Sequence, residues 1–386
     1  MAPSIIWRRL RASAKPLRVL DPMMGSGTTI VASRLCGHQA VGFDTDPLAL
    51  LIARAWSSDV RPDEVRRSAH QVLADATEKF QSIRLGDAYP AGADEEMRAF
   101  VRFWFDPVNR RQLAALSASI SNVKDAAQRR VLWCAFSRLI ITKQAGVSLA
   151  MDVSHSRPHK VFDTAPIKPF NGFLKAMEIV LKASPFVAIA GLPSASVRRG
   201  DARKLPVEDG AFDLVITSPP YLNAIDYLRG HKFSLIWMGH ALEEIRQLRT
   251  SNVGAESSNG VSASEAYVLQ ALKAMGATEG LAPRLRGMLV RYVRDMDRVL
   301  AEVSRVLKPK GEAVLVVGDS TIRGVFVQNS RALAVLGKRN GLRLCSTRRR
   351  PLLENRRYLP PPDHRKSGSL LRGRMREEVV LTFNKE

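Results

Sequence analysis

The sequence predicts an α/β fold with a doubly wound parallel sheet that is split by a helical insertion. Three observations predict this fold: a strand, a glycine turn and a helix come first, a second strand then ends in an acid, and further strands follow a long helical region. Strands that alternate with helices are typical of a parallel sheet covered by helices on both faces. We therefore expect functional residues at the carboxyl ends of the strands.

The first part of the sheet is predicted from residues 17–60. Apolar runs indicate the strands, and glycine and proline mark where the helices between them begin and end. The predicted elements are a strand over Leu17–Leu20, a helix from the Gly25-Ser26-Gly27 turn to about Leu35, a strand over Ala40–Phe43 and a helix over Leu48–Trp56. The residues before Leu17 predict only a short lead-in to the first strand.

The second part of the sheet is predicted from residues 194–386, after residues 61–193, which predict mostly helices. Its predicted elements are strands over Phe212–Thr217, Ala313–Val317 and Glu378–Phe383 and an amphipathic helix over Leu285–Leu307. The Ser- and Gly-rich stretch Thr250–Ser264 predicts a mobile loop. We therefore expect one domain in two parts, and the inserted residues 61–193 are a candidate substrate-recognition region.

The charge balance indicates a polyanionic partner. Lys and Arg number 59 against 37 Asp and Glu, which gives a formal net charge of +22. Such a field attracts nucleic acid first and an acidic membrane surface second, and no run approaches the roughly 20 apolar residues that span a bilayer. The three cysteines, Cys36, Cys134 and Cys345, form no CxxC pair, which argues against a disulfide framework or a zinc site and suits the reducing cytoplasm.

A glycine turn and an acid form the first candidate binding site. Gly25-Ser26-Gly27 lies between a strand and a helix, so the backbone can approach a ligand and the helix N-terminus offers N–H groups to a carboxylate or phosphate. It is not a P-loop, because no Gly-Lys-Ser/Thr follows, and Ile30 replaces the third glycine of a dinucleotide fingerprint. Asp44, after the next strand, can accept hydrogen bonds from both ribose hydroxyls. The alternative is that Asp21 and Asp44 only cap turns.

A stiff polar turn directly follows the predicted strand Phe212–Thr217. In Thr217-Ser218-Pro219-Pro220-Tyr221 the two prolines fix φ and remove two backbone donors, which leaves acceptors and an aromatic ring. The exocyclic amino group of cytosine or adenine is a poor nucleophile because its lone pair is delocalised into the ring. Acceptors that hold its N–H bonds let the nitrogen keep that lone pair, and a tyrosine can stack on a base flipped out of the duplex.

The two motifs together carry a family resemblance. Asp21-Pro22-Met23-Met24-Gly25-Ser26-Gly27-Thr28-Thr29 with Thr217-Ser218-Pro219-Pro220-Tyr221 resembles the site-specific DNA amino-methyltransferases, which methylate N4 of cytosine or N6 of adenine. The resemblance implies a Rossmann-like methyltransferase sheet, S-adenosylmethionine as the cofactor and DNA as the partner, and it allows a restriction endonuclease as a second partner. It covers residues 17–56 and 197–240 well and residues 299–319 more loosely. Met23 stands where the family commonly has Phe.

The resemblance also implies a role for each matching residue. The methionine part of the cofactor would be bound by the first motif, through Asp21, Pro22, Gly25, Ser26, Gly27 and Thr28. Asp44 would bind the ribose, and Asp201, shortly before the catalytic strand, would bind the amino group of the cofactor's adenine. The catalytic turn corresponds to Ser218, Pro219, Pro220 and Tyr221. A serine at the head of this turn favours N4 of cytosine over N6 of adenine.

Other functions stay open at the level of the sequence. Pro-Pro-Tyr turns also serve guanine N2 methylation, so an RNA or tRNA amino-methyltransferase is the main alternative, and Ser218 argues against it. A non-catalytic nucleic-acid-binding protein with a methyltransferase fold is the second alternative. Methylation of carbon 5 of cytosine is disfavoured because it needs a cysteine nucleophile, typically in a Pro-Cys turn, and no cysteine here follows a proline.

Two basic stretches are candidate DNA contacts. Arg343–Arg376 carries eleven Lys and Arg against Glu354 and Asp363, and we interpret it as a phosphate-binding loop between the last two strands. Asp152–Lys160 places two His, an Arg and a Lys in a polar break between helices. The alternative for both stretches is a solvated surface without a partner.

Overall fold

The computed structural model describes residues 3–222, 226–254, 264–276, 278–323, 325–352 and 377–386. Seven of its strands form one sheet, and the others pair as two short hairpins. The strands are β1 (Arg18–Asp21), β2 (Gln39–Asp44), β3 (Ala150–Met151), β4 (His159–Lys160), β5 (Ala195–Arg199), β6 (Phe212–Thr217), β7 (Leu307–Gly318), β8 (Ser320–Ile322), β9 (Val325–Val327), β10 (Leu342–Pro351) and β11 (Glu377–Lys385).

Helices surround this sheet. They are α1 (Pro3–Leu10), α2 (Thr28–Leu35), α3 (Pro47–Trp56), α4 (Pro62–Ser82), α5 (Glu95–Trp104), α6 (Pro107–Ser121), α7 (Ala126–Ile140), α8 (Pro169–Ala183), α9 (Phe186–Ile189), α10 (Tyr227–Leu235), α11 (Leu242–Ser251), α12 (Ala266–Met275), α13 (Pro283–Val306) and α14 (Asn329–Arg339). Single 3-10 turns cover Leu85–Asp87, Val153–His155, Ile236–Met238 and Thr278–Gly280.

The main sheet has the strand order β10-β11-β7-β6-β1-β2-β5. β11 is antiparallel to both of its neighbours, and the other neighbouring strands pair in parallel. From β1 the chain builds outwards through β2 and β5, and it then returns to the other side of β1 with β6. This reversal is the hallmark of a doubly wound sheet, so the predicted fold class is confirmed, and it places a crevice between β1 and β6.

Burial explains why the apolar runs form the centre of the sheet. In β7 the residues Ala313–Val317 are buried, as expected for a parallel strand that is covered on both faces. α13 covers one face with an apolar stripe at helical spacing, and its members are fully buried: Leu289, Val293, Met296, Leu300 and Val303. The amphipathic helix and the strand predicted at this point of the chain are therefore present, with β7 beginning earlier than expected.

The residues between α3 and β5 are mostly helical and form a second core. Phe105, Phe136 and Phe173 are buried in it, and the same cluster continues into the helices after the catalytic turn through Phe233 and Trp237. The helices before β5 and those after β6 therefore pack on one shared core. The domain boundaries near residues 60 and 193 stay predictions.

Three sequence expectations are wrong in part. The lead-in contains α1, because Ile6 and Leu10 are buried with Val19 of β1. The first part of the basic stretch Arg343–Arg376 is not a loop, because residues up to Pro351 form β10 and pair with β11. Thr250 and Ser251, expected in a loop, end α11. Residues 255–263 and 353–376 of these two predicted loops lie outside the described residues.

Candidate active site

The two motifs lie side by side at one edge of the sheet. β1 and β6 are parallel neighbours, with Leu20 opposite Val215, so the turns at their carboxyl ends open onto the same crevice. At the end of β6 the Thr217 hydroxyl donates a hydrogen bond to Asp21 Oδ1, at the end of β1, over 2.7 Å. Both side chains are buried. The glycine turn and the Ser-Pro-Pro-Tyr turn are thus joined at their bases.

Asp21 supports the glycine turn from behind. Its side chain, 1% exposed, accepts a second hydrogen bond from the Met23 N–H at 3.2 Å. Burial raises the pKa of Asp21 to about 6, although the hydrogen bonds that it accepts oppose the rise. The Asp21 carboxylate is therefore engaged by hydrogen bonds from within the protein. The next residue, Pro22, is also buried.

The glycine turn needs glycine at two positions. Gly25 and Gly27 have φ values of 52° and 83°, in the left-handed region that residues with a side chain rarely adopt. A Cβ at Gly27 would also lie 2.8 Å from the Cβ of Ala53, so glycine lets α2 begin against α3. α2 starts at Thr28, directly after the turn, and its first N–H groups have no partner within the helix. The turn therefore combines close backbone approach with a helix N-terminus.

Asp44 lies on the other side of this turn. It ends β2, and its two oxygens accept the Gly25 N–H at 2.8 Å and the Asp46 N–H at 3.0 Å. Burial raises the pKa of Asp44 to about 6. A carboxylate offers about four acceptor sites, so Asp44 keeps acceptor capacity for a ligand hydroxyl beside its backbone hydrogen bonds. The predicted methionine-binding turn and the predicted ribose-binding acid are therefore in direct contact.

The catalytic turn is anchored to the strands beside it. The Ser218 hydroxyl donates to the Val316 carbonyl of β7 at 2.9 Å. The Tyr221 hydroxyl lies 3.3 Å from Glu378 Oε1 at the start of β11. Pro219 is buried, whereas Pro220 and Tyr221 are half-buried. The turn is therefore held on its β7 and β11 side.

Asp201 is at the same edge, but an arginine already engages it. It follows β5, the neighbour of β2, and the Arg203 guanidinium contacts both of its oxygens, at 2.7 Å for the shortest pair. Burial opposes ionisation of Asp201, yet the hydrogen bonds from Arg203 lower its pKa below the usual value. Arg203 also reaches Asp295 at 2.9 Å. An adenine amino group would therefore share Asp201 with Arg203.

An Asp–His pair that the sequence did not indicate joins the two halves of the site. Asp46 caps α3 by accepting the Leu48 N–H at 2.9 Å, and its other oxygen lies 2.6 Å from His231 Nδ1. Although burial opposes it, His231 lowers the pKa of Asp46. His231 is on α10 and is the sixth residue of the described segment that follows the catalytic turn. No spacing rule links positions this far apart in the chain.

The remaining residues of the first motif have different surroundings. Ser26 is exposed, and together with Thr28 it lines a small cavity with Trp7 and Trp56. That cavity has no lining residue from the catalytic turn. Ser26 and Thr28 thus belong to the first motif and also line a cavity that the catalytic turn does not reach.

The polar stretch Asp152–Lys160 packs beside the catalytic region. It forms the 3-10 turn and strand β4 of a hairpin, and Ser156 Oγ donates to the Tyr227 carbonyl of α10 at 3.3 Å. A Cβ at Gly230 of α10 would lie 2.3 Å from the Val153 carbonyl oxygen, so the two backbones approach closely. Arg157, His159 and Lys160 are exposed on this hairpin. Its positive charge is thus adjacent to the helix that follows the catalytic turn.

A second basic surface lies along the edge strand β10. Arg348 and Arg349 are exposed there, and Arg349 pairs with Glu377 at 3.3 Å. Charged side chains are a common means of protecting an edge strand from further pairing. Within the described residues, no cluster of three or more His, Cys, Asp and Glu could hold a metal ion, and no helix is both long and apolar enough to cross a membrane. The three cysteines are free.

Comparison with known proteins supports the family indicated by the motifs. The chain is 22% identical to the type II methyltransferase M.MvaI of Kocuria varians over 352 residues, which cover 83% of this chain and 74% of M.MvaI. The chain is thus similar to type II methyltransferases at low identity. M.BsoBI of Geobacillus stearothermophilus is 22% identical over 62% of this chain, which spans about half of M.BsoBI (51%). M.AvaI of a Nostoc species is 23% identical over 78% of this chain and 68% of M.AvaI.

These similarities confirm the resemblance at the level of DNA methyltransferases. No protein-family model matches the chain. Among solved structures, a SAM-dependent methyltransferase from Methanosarcina mazei aligns with 10% identity and a TM-score of 0.35, over 100% of this chain and 98% of that chain. A putative DNA modification methylase from Thermus thermophilus aligns with 17% identity and a TM-score of 0.23, over 48% of this chain and 50% of that chain.

Proposed function

We propose that this protein transfers a methyl group from S-adenosylmethionine to an exocyclic amino group of a DNA base. The hydrogen bond between Thr217 and Asp21 carries the proposal, because it joins the base of the glycine turn to the base of the Ser-Pro-Pro-Tyr turn. A methyl donor held by one turn and an amine held by the other would then meet in one crevice. The relationship to type II methyltransferases supports the reaction class.

The donor side of the crevice fits S-adenosylmethionine. Bound there, this molecule would supply an electrophilic methyl group on its sulfonium. The glycine turn and the N-terminus of α2 would bind its carboxylate. Asp44, which keeps acceptor capacity beside its backbone hydrogen bonds, would bind the ribose hydroxyls. Asp201 would accept from the adenine amino group while it keeps its contact with Arg203.

The acceptor side of the crevice fits a flipped base. The Ser218 hydroxyl donates to Val316 and keeps its lone pairs, so the acceptors that the turn offers to an amino group are the carbonyls of Ser218 and Pro219 and the Ser218 hydroxyl oxygen. Accepting both N–H bonds keeps the nitrogen lone pair available and stabilises the positive charge that develops during transfer. Tyr221 would stack on the base outside the duplex. These groups position the amine and stabilise charge, and they form no covalent bond to it.

The serine at the head of the turn favours N4 of cytosine over N6 of adenine. The resemblance carries this preference, and the geometry of the turn is compatible with either base. Digestion of the methylated DNA to nucleosides, followed by mass determination, decides between the two products. We expect N4-methylcytosine, and N6-methyladenine as the only product would overturn this part of the proposal.

The duplex would be bound by the two basic surfaces beside the crevice. The hairpin with Arg157 and Lys160 contacts α10, and the edge strand β10 presents Arg348 and Arg349 next to β11. Phosphate contacts of this kind position a duplex without reading its sequence. The helical residues 61–193, which carry the hairpin, are our candidate for the region that recognises the target.

The experiment that tests the proposal measures methyl transfer directly. Purified protein is mixed with labelled S-adenosylmethionine and either unmethylated bacterial genomic DNA or bulk RNA. Label in DNA supports the proposal, whereas label in RNA alone indicates the amino-methyltransferase of RNA. Cofactor that does not bind by calorimetry indicates a non-catalytic nucleic-acid-binding protein. Asp44→Asn serves as the inactive variant, and Asp63→Asn, an exposed acid on α4, is the matched control.

A further inference from the structure

Glu378 is a buried carboxylate at the edge of the sheet that carries the site. It is the second residue of β11, and it pairs with Gly318 of β7 on one side and Arg350 of β10 on the other. Because β11 is antiparallel to β7, its first residues lie where β7 ends. That is also the edge at which β6 ends and the catalytic turn begins. Glu378 is 6% exposed, which is unusual for a charged residue.

The hydrogen bonds around Glu378 have a defined direction. A carbonyl can only accept, so the single hydrogen of the Ser218 hydroxyl is used on Val316 at 2.9 Å. The Tyr221 hydroxyl lies 3.3 Å from both Ser218 Oγ and Glu378 Oε1. It donates to Glu378, because a carboxylate is the stronger acceptor. The hydroxyl of Tyr221 is therefore held by a carboxylate on β11, a strand that is distant from Tyr221 in the chain.

The buried charge of Glu378 has fewer hydrogen-bond and ion-pair partners than a purely structural carboxylate needs. The nearest guanidinium nitrogen of Arg350 is 3.8 Å from Oε2, beyond hydrogen-bond distance. Among the described residues Oε2 has no hydrogen-bond partner. Burying a carboxylate with an incomplete set of partners destabilises a fold, and an apolar residue would fill this strand position at a lower free energy. An apolar residue at this position could not accept a hydrogen bond from the Tyr221 hydroxyl, whereas Glu378 can.

We propose that Glu378 is a positioning residue for Tyr221, which holds the ring where it can stack on the flipped base. A tyrosine ring anchored only by its backbone can change rotamer about χ1, whereas a second anchor at the hydroxyl restricts this torsion. Less conformational entropy is then lost when the base arrives. This inference rests on the proposed function, because it gives Tyr221 the task of holding the base.

The test compares two substitutions of Glu378 with a control. Glu378→Leu removes the acceptor, and Glu378→Gln keeps an acceptor oxygen but removes the charge. Glu377→Gln makes the same charge change on the exposed neighbour, which pairs with Arg349. With labelled S-adenosylmethionine and unmethylated genomic DNA, we expect Glu378→Leu to lower kcat about tenfold, the equivalent of one hydrogen bond. We expect Glu378→Gln to restore most of the loss, with cofactor Kd unchanged throughout and kcat unchanged in Glu377→Gln.

A second measurement is independent of activity. Urea unfolding of Tyr221→Phe, Glu378→Leu and the double variant tests whether the two residues act as a pair, and we expect the double variant to be more stable than the sum of the two single changes predicts. Additive changes in stability would overturn the inference, and so would a Glu378→Gln variant as inactive as Glu378→Leu. If the wild-type protein transfers no methyl group to DNA, the proposed function fails, and the unfolding cycle still decides whether Glu378 holds Tyr221.

Discussion

The hydrogen bond between Thr217 and Asp21 can be removed with little change of shape. Thr217→Val replaces the hydroxyl by a methyl group and leaves Asp21 without the donor at 2.7 Å. A hydrogen bond to a charged group contributes about 1.5–3 kcal/mol to the free energy of unfolding. Because both side chains are buried, water cannot replace the lost donor. We therefore expect the variant to lose about that much stability at pH 8.

The loss should depend on pH, and the pKa of Asp21 gives its direction. Burial raises this pKa from 3.8 to about 6, so ionised Asp21 destabilises the folded state by about 3 kcal/mol above pH 6. Relative to the ionised form, protonated Asp21 stabilises the folded state by this amount, and that stability is fully present below pH 3.8 and is lost as the pH rises through 6. Removing the Thr217 hydroxyl raises the pKa of Asp21 further, so it destabilises the ionised form most. At pH 5, where Asp21 is protonated, we expect a loss of only about 1 kcal/mol.

Urea unfolding of the wild type and the variant at pH 8 and pH 5 measures both quantities. Thr217→Ser is the control, because it keeps the hydroxyl and loses only a buried methyl group. Its loss should be the same at both pH values. Equal losses for Thr217→Val at pH 8 and pH 5 would refute the reasoning, since they would show that the hydroxyl does not stabilise an ionised Asp21. A Thr217→Ser variant with the same pH dependence as Thr217→Val would refute it too.

Four further predictions concern the site and the surface beside it. Cofactor affinity, measured by calorimetry, should fall as the pH drops below about 6, because protonation of Asp44 removes acceptors for the ribose. The Asp44→Asn variant should show no such pH dependence. A wild-type affinity that does not change with pH would argue against ribose binding by Asp44. Tyr221→Ala should reduce kcat at least tenfold with a smaller change in DNA Kd, and parallel losses would contradict a stacking role. The double variant Arg157→Glu, Lys160→Glu should bind DNA more weakly and with a smaller salt dependence, while the cofactor Kd stays constant. An unchanged slope of DNA affinity against salt would exclude the hairpin as a phosphate contact. Gly230→Ala should cost about 1–3 kcal/mol in urea unfolding, because its Cβ meets a backbone oxygen at 2.3 Å, whereas Gly86→Ala, with open space around it, should be neutral.

The sequence predicted the parts of the site that depend on short stretches of chain. The strand and turn at Asp21, the strand ending at Asp44 and the turn after Thr217 each follow from local patterns, and the neighbouring positions of β1 and β6 confirm that the two motifs share an edge. The doubly wound fold class followed from the same patterns. Residue roles assigned by resemblance stay predictions until ligands and variants are measured.

Those local patterns could not predict contacts between strands that are far apart in the chain. Glu378 was predicted only as the start of a strand, and its approach to Tyr221 depends on β11 being placed between β7 and β10. The strand β10 was interpreted as a loop because it lacks the alternation of a half-buried strand: it lies at the edge of the sheet with one neighbour, and most of its residues are exposed. The engagement of Asp201 by Arg203 was missed because a motif gives the position of an acid and says nothing about what already binds it.

The shared core explains how a helical insertion could influence chemistry at the catalytic turn. α10 is packed from one side by the insertion core through Phe233, and from another by the hairpin at Gly230, where the backbone of Val153 leaves no room for a side chain. A shift of the hairpin on a DNA backbone would therefore be transmitted to α10 without loss, because close-packed interfaces do not compress. On α10, His231 holds Asp46, whose N–H holds Asp44. Duplex binding at the hairpin and cofactor binding at Asp44 would thus act on adjacent residues of one helix, Gly230 and His231, so a variant that loosens Gly230 should weaken the dependence of each on the other.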